Sequence, residues 1–587
     1  MKIKKIVSKI QKYFSKIDKK IWIFLFFLVL ITGFVRGYNF NEWLLVRADQ
    51  ERDANKALNF VENGFSHLRM MGPKITRVIL PEDSGNGDSL YMGPYYYYVQ
   101  AFSMKFFGSP DFWTIALPDF ILSLLAIPIF FLILSRFFSR QTSILTTVLF
   151  SFSFLILQYS RFAWNPNQLI FWQLLLIYSL IKFSFEKKKK AGFWFLVAFL
   201  SLLIISQLHF LAIVGTSVVF ILFLFYQKAW KKLKLKHYLI ALAMFVFFHI
   251  PFLVSDIKND GDNFKRMFFG VSQQSSDSSL KENLRKTLEK SGEFYFYFPA
   301  SISKDEFSEI EFWAQIYLIV SIFFVFLIHK NKIKLNENSD SKRIKNLTLL
   351  VLLYFGVFFL INTKVADRLQ KPRYWLSIAP IAFFIVAFWL EWIKNIKNKK
   401  GALFLTGAIF TFCLFQNLYS TYFLYSSFKN GVRPELPYRD PIFRPHRELI
   451  TLGEIRRASD YIAKRGIEEG RNICYFVEDI QTKNAYKYII KNKYPDLLLK
   501  RLDDKSESSK DCLMFYVTKR DHTIKDLKKD LANRFAYRQL FIDGAISLWE
   551  LKVLEDKDFP AQGDKIFVDQ KDKQDKAILW KDLWKEF

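Results

Sequence analysis

The sequence carries a dense group of charged residues shortly after its first apolar segment, Asp49-Gln50-Glu51-Arg52-Asp53. In a helix, Asp49 and Asp53 would share one face at a spacing of four residues. Like charges at this spacing are mildly destabilising, so a chain that keeps them can be using a carboxylate as a general base or a metal ligand. The alternative is an acid-rich first helical turn, which suits the helix dipole and which composition alone favours.

A group of basic residues lies between two late apolar segments, in the stretch TKVADRLQKPR. It contains Lys364, Arg368, Lys371 and Arg373. Cations at the edge of a membrane can bind a phosphate group. Long cationic side chains also anchor helices by reaching for lipid headgroups, so the residues by themselves support both interpretations equally.

Single polar residues flank or interrupt three other apolar segments. The stretch SRFAWNPNQ contains Arg161, Asn165 and Asn167, and its Asn-Pro-Asn run is explained by a turn that leads into a helix. His209 follows a long apolar segment, and a lone histidine is more often packed than a ligand. Asp119 lies inside an apolar segment, so we expect it to be buried against protein or near a cavity.

Membrane helices must position these residues, because the composition is that of a polytopic membrane protein. Of 587 residues, 51% are hydrophobic and 66 are Phe, and the apolar residues form blocks near the length of about 20 residues that spans a bilayer. Three Cys cannot build a disulfide framework. The eleven predicted spans are 21–38, 112–135, 141–160, 166–184, 192–207, 208–226, 238–254, 312–329, 346–363, 374–390 and 402–427.

The placement of charge predicts the orientation of these spans. The first 20 residues contain eight Lys and one Asp, so we expect them in the cytoplasm and the first span to be a retained anchor rather than a cleaved signal peptide. If the spans alternate, the cytoplasmic segments hold 29 basic and five acidic residues, as the positive-inside rule requires. The net charge of +29 therefore reflects topology and predicts no nucleic-acid partner.

Three predicted domains follow from this topology. They are a cytoplasmic basic segment at 1–20, a membrane domain at 21–427 and an extracytoplasmic domain at 428–587. The membrane domain carries two long outer loops, at 39–111 and 255–311. A plasma membrane or bacterial inner membrane with the N-terminus inside is the expected location.

Local patterns indicate the structure of the outer segments. Residues 50–62 have helical spacing, and the aromatic run 91–107 suits a helix in the plane of the membrane interface. The C-terminal segment contains strand-like runs separated by helical stretches, which predicts a small α/β domain. Cys474 and Cys512 fall in two of these strands, and the sequence leaves open whether they form a disulfide or are buried thiols.

Short motifs occur in a characteristic order along the membrane domain. The acidic cluster after the first span is followed by GP-YYYY before a Phe-Gly, then SR-x-x-WNPN, QLH and PRYW-x-x-x-x-P. This set, over roughly residues 20–430, resembles the bacterial membrane glycosyltransferases of family 39 in the GT-C superfamily. That group includes protein O-mannosyltransferases and the aminoarabinose transferases that modify lipid A.

The resemblance implies an essential carboxylate just after the first helix, and Asp49 is the matching position. Family members usually place a second acid directly after it, where this chain has Gln50. Glu51 or Asp53 is therefore expected to take the second role. The catalytic prediction comprises Asp49, Glu51 and Asp53.

The resemblance also implies a site for a lipid phosphate. Arg373 and Tyr374 match an Arg-Tyr pair that opens a late helix, and Arg161 and His209 match polar positions that line an outer cavity. The full predicted set for substrate and phosphate binding is Arg52, Arg161, Asn165, His209, Lys371, Arg373 and Tyr374.

The implied function is transfer of a sugar from a polyprenyl-phosphate-linked donor to an acceptor hydroxyl of a glycan, lipid or protein, with Asp49 as base. A membrane-bound donor needs no nucleotide site, and the sequence contains neither GxGxxG nor GxxxxGK[ST]. A divalent metal is compatible with the superfamily.

The alternatives are an oligosaccharide ligase or polymerase, a transporter or flippase, and a non-catalytic scaffold. The clustering of charge at one surface favours an interfacial enzyme over a transporter.

Overall fold

The structure is a computed structural model of the chain. It describes residues 18–78, 88–273, 278–302, 309–335, 341–369, 372–430, 450–478, 482–497, 499–501, 512–520, 535–554 and 579–583. The helices are α1 (Lys19–Gly37), α2 (Ala48–Asn63), α3 (Tyr95–Phe107), α4 (Phe112–Leu134), α5 (Arg140–Phe152), α6 (Phe154–Tyr159), α7 (Leu169–Phe185), α8 (Lys188–Leu208), α9 (Phe210–Tyr226), α10 (Leu235–Ile257), α11 (Asp262–Gln273), α12 (Leu280–Ala300), α13 (Ile310–His329), α14 (Ser341–Lys364), α15 (Ala379–Lys394), α16 (Lys399–Asn430), α17 (Leu452–Glu468) and α18 (Lys483–Lys493). The strands are β1 (Lys74–Val78), β2 (Asp88–Tyr91), β3 (Ile473–Val477), β4 (Leu499–Arg501), β5 (Leu513–Lys519), β6 (Phe535–Asp543) and β7 (Ile546–Val553).

Among the described residues, nine helices are long and apolar enough to cross a membrane. These nine spans correspond to α1, α4, α7, α8, α10, α13, α14, α15 and α16. Helix α9 is equally apolar but has only 17 residues. Every one of the eleven predicted spans coincides with helical residues, so the chain is a polytopic α-helical membrane protein, and the predicted number of about eleven membrane helices is approximate.

The predicted span 141–160 is the one that the structure breaks. It divides into α5, with 13 residues, and α6, with six, and neither has the length of about 20 residues that crosses a bilayer. Ser153 at the break is extended and donates a hydrogen bond from its hydroxyl to the carbonyl of Phe298, at 2.9 Å. Asn417 accepts from the backbone N–H of Phe154 at 2.7 Å, so a side chain from another helix satisfies a backbone group that the break exposes.

The membrane helices pack around α15, whose residues are almost all buried. Aromatic side chains dominate this core, for example the stacked rings of Phe130 and Phe150 with centroids 4.5 Å apart. Helices α1, α10 and α16 lie at the periphery and expose large apolar side chains such as Phe34, Phe247 and Phe404. Such a surface suits contact with lipid rather than with water.

The two predicted outer loops contain more regular structure than the sequence indicated. Within 39–111 the structure has α2, the antiparallel β1–β2 hairpin and α3, which confirms the helices expected at 50–62 and 91–107. The segment 255–311 is largely helical because it holds α11 and α12. Ser279 caps α12 by accepting a hydrogen bond from the N–H of Glu282 at 3.3 Å.

The C-terminal segment forms a small α/β domain, as the sequence predicted. Its five-stranded sheet has the order β4-β3-β5-β7-β6, with parallel pairing of β3 to β4 and β5 and antiparallel pairing of β7 to β5 and β6. Helices α17 and α18 pack on the sheet. Cys474 and Cys512 form a disulfide, with Cα atoms 5.6 Å apart.

The C-terminal domain and the segment 39–111 share one hydrophobic core. Buried residues of α2, α3 and the start of α4 pack in the same cluster as residues of α17, α18 and the sheet. Backbone contacts extend this junction, because the N–H of Leu452 donates to the carbonyl of Leu44 at 2.7 Å. Arg456 adds an ion pair to Asp111 at 2.5 Å, directly before α4. The C-terminal domain is therefore packed against the segment that carries the acidic cluster.

Candidate active site

The acidic cluster lies at the start of α2 and has one central cation. Arg52 is bonded to Asp49 at 2.9 Å and to Asp53 at 2.8 Å and 3.0 Å. The two carboxylates differ in environment, since the side chain of Asp49 is 49% exposed and that of Asp53 only 1%. We call Asp49, Arg52 and Asp53 the α2 charge cluster.

Burial and pairing oppose each other within the α2 charge cluster. Burial raises the pKa of Asp53, against the opposing pull of Arg52. Burial also disfavours the charged form of Arg52, but the adjacent Asp53 and Asp49 outweigh it and raise the pKa of the guanidinium. One oxygen of Asp53, Oδ2, is buried and has no hydrogen-bond partner. The cluster therefore holds a permanent cation beside one solvent-accessible carboxylate.

Glu51 is separated from this cluster by the geometry of the helix. At about 100° per residue it lies on the opposite side of α2 from Asp49, and it accepts a hydrogen bond from Asn55. The structure thus brings together two of the three predicted catalytic residues, Asp49 and Asp53.

Gln50, which replaces the second acid expected in the family, ties α2 to the SRFAWNPNQ turn. Its amide donates to the carbonyl of Ala163 at 2.7 Å, and its oxygen accepts from the N–H of Arg47 at 3.0 Å. The first bond crosses to another part of the chain and the second caps the helix. Gln50 therefore fixes the position of the α2 charge cluster relative to the turn that contains Ala163 and the next residue, Trp164.

Asp119 holds the same turn from the other side. Its carboxylate accepts from the hydroxyl of Tyr96 at 2.9 Å, from the N–H of Trp164 at 3.0 Å and from the amide of Gln168 at 2.7 Å. Asn167 adds a longer bond of 3.4 Å. The expectation that Asp119 is buried is confirmed, and its contacts join the turn to α3 and α4.

The predicted phosphate-binding residues of the late segment meet the turn at Trp164. The guanidinium of Arg373 lies 5.4 Å from the ring centroid of Trp164 and 5.1 Å from that of Tyr374, and it donates to the Tyr374 hydroxyl at 3.2 Å. The ring of His209 lies 5.6 Å from that of Tyr374. Trp164, His209, Arg373 and Tyr374 form what we call the Arg373 cluster.

The Arg373 cluster retains unused hydrogen-bonding capacity. Arg373 Nε and His209 Nδ1 are buried and have no partner. No carboxylate pairs with Arg373 among the ion pairs of the described residues, so its charge is offset only by aromatic rings. A cation in this state is suited to an anionic ligand.

The other predicted binding residues lie apart from this cluster or outside the described residues. Arg161 is buried against the end of α1, where it donates to the carbonyl of Arg36 and to the hydroxyl of Tyr425, at 3.1 Å for the latter. Asn165 donates to the carbonyl of Leu208 and thereby holds the turn against the end of α8. Lys371 lies outside the described residues.

The tyrosines of GP-YYYY were not predicted as site residues, yet the start of α3 connects the parts of the site. The N–H of Tyr95 donates to the side chain of Gln207 at 3.0 Å, two residues before His209. Tyr96 donates to Asp119, and Tyr97 accepts from Lys56, one helical turn beyond Asp53, at 3.4 Å. The signal in the sequence was the aromatic run after Gly-Pro, which indicated an interfacial helix without indicating its partners.

An open apolar groove of about 710 Å³ lies between α3 and the first turns of α4. Tyr95 and Lys105 are among its lining residues. The N–H of Tyr95 donates to Gln207, which lies two residues before His209 of the Arg373 cluster. The described residues contain no group of three or more His, Cys, Asp or Glu that could hold a metal ion. The groove is lined by Tyr95, Val99, Phe102, Ser103, Lys105, Phe106, Pro118, Ile121 and Leu122.

The fold and these motifs are similar to those of known membrane glycosyltransferases. Residues 92–254 match the family model described as dolichyl-phosphate-mannose-protein mannosyltransferase. The fold is similar to that of ArnT from Cupriavidus metallidurans bound to undecaprenyl phosphate, with a TM-score of 0.53 and 12% identity over 91% of this chain and 98% of that chain. The resemblance that the sequence motifs indicated is thereby confirmed.

Two further solved structures show lower similarity. The apo state of the same ArnT gives a TM-score of 0.48 with 10% identity over 90% of this chain and 97% of that chain. The second is the archaeal oligosaccharyltransferase AglB from Archaeoglobus fulgidus, in complex with an inhibitory peptide and a dolichol-phosphate. It gives a TM-score of 0.46 with 11% identity over 92% of this chain and 75% of that chain. The comparison with curated protein sequences gave no significant match.

Proposed function

We propose that this chain transfers a sugar from a polyprenyl-phosphate-linked donor to an acceptor hydroxyl at the outer face of the membrane. The observation that carries the proposal is the arrangement around Trp164. Gln50 ties the α2 charge cluster to the residue before Trp164, and Arg373 lies over the ring of Trp164 itself. A solvent-accessible carboxylate and a cation that has no carboxylate partner among the described residues are thus supported by one turn.

Asp49 is the proposed general base. It is the exposed carboxylate of the α2 charge cluster, so an acceptor hydroxyl can reach it, whereas Asp53 is buried. As the acceptor oxygen bonds to the anomeric carbon, Asp49 takes the hydroxyl proton and the bond from that carbon to the phosphate oxygen breaks. Asp53 holds Arg52 in place and acts as a positioning residue.

The leaving phosphate carries the negative charge that develops in the reaction. Arg373 is the proposed partner for it, because within the described ranges no carboxylate offsets its charge and no acceptor is bonded to its Nε. Tyr374 orients Arg373, and the free Nδ1 of His209 offers a further hydrogen bond. The apolar groove between α3 and α4 is the proposed path of the polyprenyl chain, since it is open and lined mainly by hydrocarbon.

We infer that the site and the C-terminal domain face the outside, with the N-terminus in the cytoplasm of a bacterial inner membrane. The excess of Lys and Arg in the alternate segments supports this orientation. The Cys474–Cys512 disulfide supports it independently, because disulfides persist in oxidising compartments and not in the cytosol.

The test is sugar transfer by the purified full-length chain in liposomes, with a panel of radiolabelled undecaprenyl-phosphate sugars and membrane extract as the source of acceptors. Asp49→Asn is expected to lower turnover by about 10²–10⁴-fold, the usual contribution of a general base. Glu51→Gln is the matched control, because it removes a carboxylate from the opposite side of the same helix and should leave turnover unchanged. Full activity of a folded Asp49→Asn variant would contradict the assignment of the base.

A further inference from the structure

Helix α11 is held at the end of the span α10 by a fixed turn. The carboxylate of Asp256, in the last turn of α10, accepts from the N–H of Asn263 at 2.8 Å and of Phe264 at 3.2 Å. Asp260 and Gly261 between them have positive φ values of 54° and 69°, a left-handed conformation that glycine adopts without strain. The first turn of α11 is thus capped by the helix before it, and α11 cannot separate from the end of α10.

The two sides of α11 have opposite character. Asn263 and Arg266 are buried, and Arg266 pairs with Asp262 at 2.8 Å. On the other side, Phe264 and Phe268 are 49% and 63% exposed, with ring centroids 5.0 Å apart. Phe269 beside them is 43% exposed. A helix of this kind exposes an apolar surface, which Phe264 and Phe268 dominate.

The exposed side of α11 continues the exposed side of α10. Along α10, the large apolar side chains of Phe247, Ile250, Leu253 and Ile257 are exposed as well. A membrane-spanning helix directs such a row of side chains towards lipid. Because the fixed turn joins α10 directly to α11, the aromatic residues of α11 begin close to the end of this lipid-facing helix.

We propose that α11 is an interfacial helix that inserts Phe264, Phe268 and Phe269 into the hydrocarbon edge of the bilayer. Burial of this much aromatic surface in lipid is favourable at roughly 25 cal/mol per Å². Lys265, which lies on the same side, has a long aliphatic stem and can extend its ammonium group to the headgroup phosphates. The partner of this surface is therefore a lipid bilayer and not a second protein.

The buried side of α11 connects this membrane contact to the candidate site. Asn263 accepts from the N–H of Tyr91 at 2.7 Å and donates to the carbonyl of Tyr91 at 3.2 Å. Tyr91 ends the β1–β2 hairpin, four residues before Tyr95 begins α3. Insertion of α11 would therefore set the depth of the hairpin and of the start of α3 relative to the bilayer.

The proposal is tested by the solvent accessibility of spin labels on the full-length chain. The free thiol is removed by Cys413→Ala, and a nitroxide is attached in separate variants at Phe264→Cys and Phe268→Cys. The proteins are reconstituted in liposomes of phosphatidylcholine and phosphatidylglycerol. Phe247→Cys on α10 is the lipid-facing control and Tyr537→Cys on the exposed strand β6 is the aqueous control.

Power saturation with oxygen and with a water-soluble nickel chelate distinguishes three environments. We expect both α11 labels to resemble the Phe247 label, with high oxygen and low nickel accessibility. High nickel accessibility, as at Tyr537, would overturn the proposal in favour of an aqueous helix. Low accessibility to both reagents would overturn it in favour of a protein partner. Because Phe264 and Phe268 are both exposed, at least one variant should fold, and its elution profile verifies this.

Discussion

At the scale of single residues, the two aspartates of α2 show how one helical turn can place two carboxylates in different environments. Asp49 and Asp53 bind the same guanidinium, but only Asp49 is reached by solvent. A buried carboxylate that is paired with Arg52 is suited to hold that cation, whereas an accessible carboxylate can receive a proton from an acceptor. The distinction depends on which side of α2 packs against the core shared with the C-terminal domain.

Asp53→Asn is therefore expected to destabilise the fold more than Asp49→Asn does. Hydrogen bonds to charged groups contribute about 1.5–3 kcal/mol, whereas exposed pairs contribute about 0–1 kcal/mol. Because burial raises the pKa of Asp53, the wild type gains stability as the pH falls and Asp53 takes up its proton, whereas the Asp53→Asn variant does not titrate at this position, so the difference between the variants should widen at low pH. Thermal unfolding in detergent at several pH values measures this, and equal losses at neutral pH would contradict it.

At the scale of elements, α2 is positioned by packing against α3 and α18 and by one side-chain tether. Gln50 joins its first turn to the carbonyl of Ala163, and α18 packs on its other side. The turn that follows Ala163 is held by Asp119 on α4. The relative placement of the two halves of the candidate site therefore depends on the contacts of one loop between α6 and α7.

The substitution Gln50→Glu keeps one of the two hydrogen bonds that Gln50 makes and removes the other. The carboxylate can still accept from the N–H of Arg47, but it cannot donate to the carbonyl of Ala163. We expect helix capping to persist and turnover to fall, with a loss of stability of about 1–3 kcal/mol for the carbonyl left unsatisfied. Transfer assays and thermal unfolding are compared with Glu51→Ala, an adjacent substitution in α2. Unchanged turnover would show that this tether does not position the base.

At the scale of the whole molecule, the C-terminal domain is part of the support of the site. Its helices share a core with α2 and α3, and Arg456 reaches both Asp111 and Asn41 of the membrane domain. A binding module joined only by a linker would not bury a common core. The acidic cluster is thus held between the membrane helices and the C-terminal domain.

Charge reversal across this junction tests the coupling. Arg456→Glu and Asp111→Arg should each lower the unfolding temperature, because each places like charges side by side. The double variant should recover part of the loss, with a coupling free energy of about 0.5–3 kcal/mol for residues in contact. Thermal unfolding of the four proteins in one detergent gives this value. Strictly additive losses would mean that the ion pair contributes nothing to docking.

The disulfide predicts a defined thiol count for the isolated protein. The chain has three Cys, of which Cys474 and Cys512 are paired and Cys413 is free. Denatured protein that has not been reduced should therefore bind one maleimide per chain, and reduced protein three. Mass spectrometry reads both values. Three maleimides without reduction would contradict the disulfide and remove one support for the proposed orientation.

The sequence by itself determined the features that depend on local patterns. Apolar blocks long enough for a bilayer located every membrane helix, and alternating strand-like runs located the sheet of the C-terminal domain. The order of the short motifs indicated the GT-C architecture. Even the single broken span was recognised as apolar, but its division at Ser153 depends on Phe298 and Asn417, which are distant in the sequence.

Only the tertiary structure decided how the chemically active residues are grouped. Helical spacing put Asp49 and Asp53 on one side of α2, but burial against distant residues made one a support and left the other accessible. Arg161 and Arg373 are both basic residues beside membrane helices, yet one caps the end of α1 and the other lies over Trp164. The reason is physical: the pairing and burial of a charge depend on groups hundreds of residues away, which no local pattern encodes.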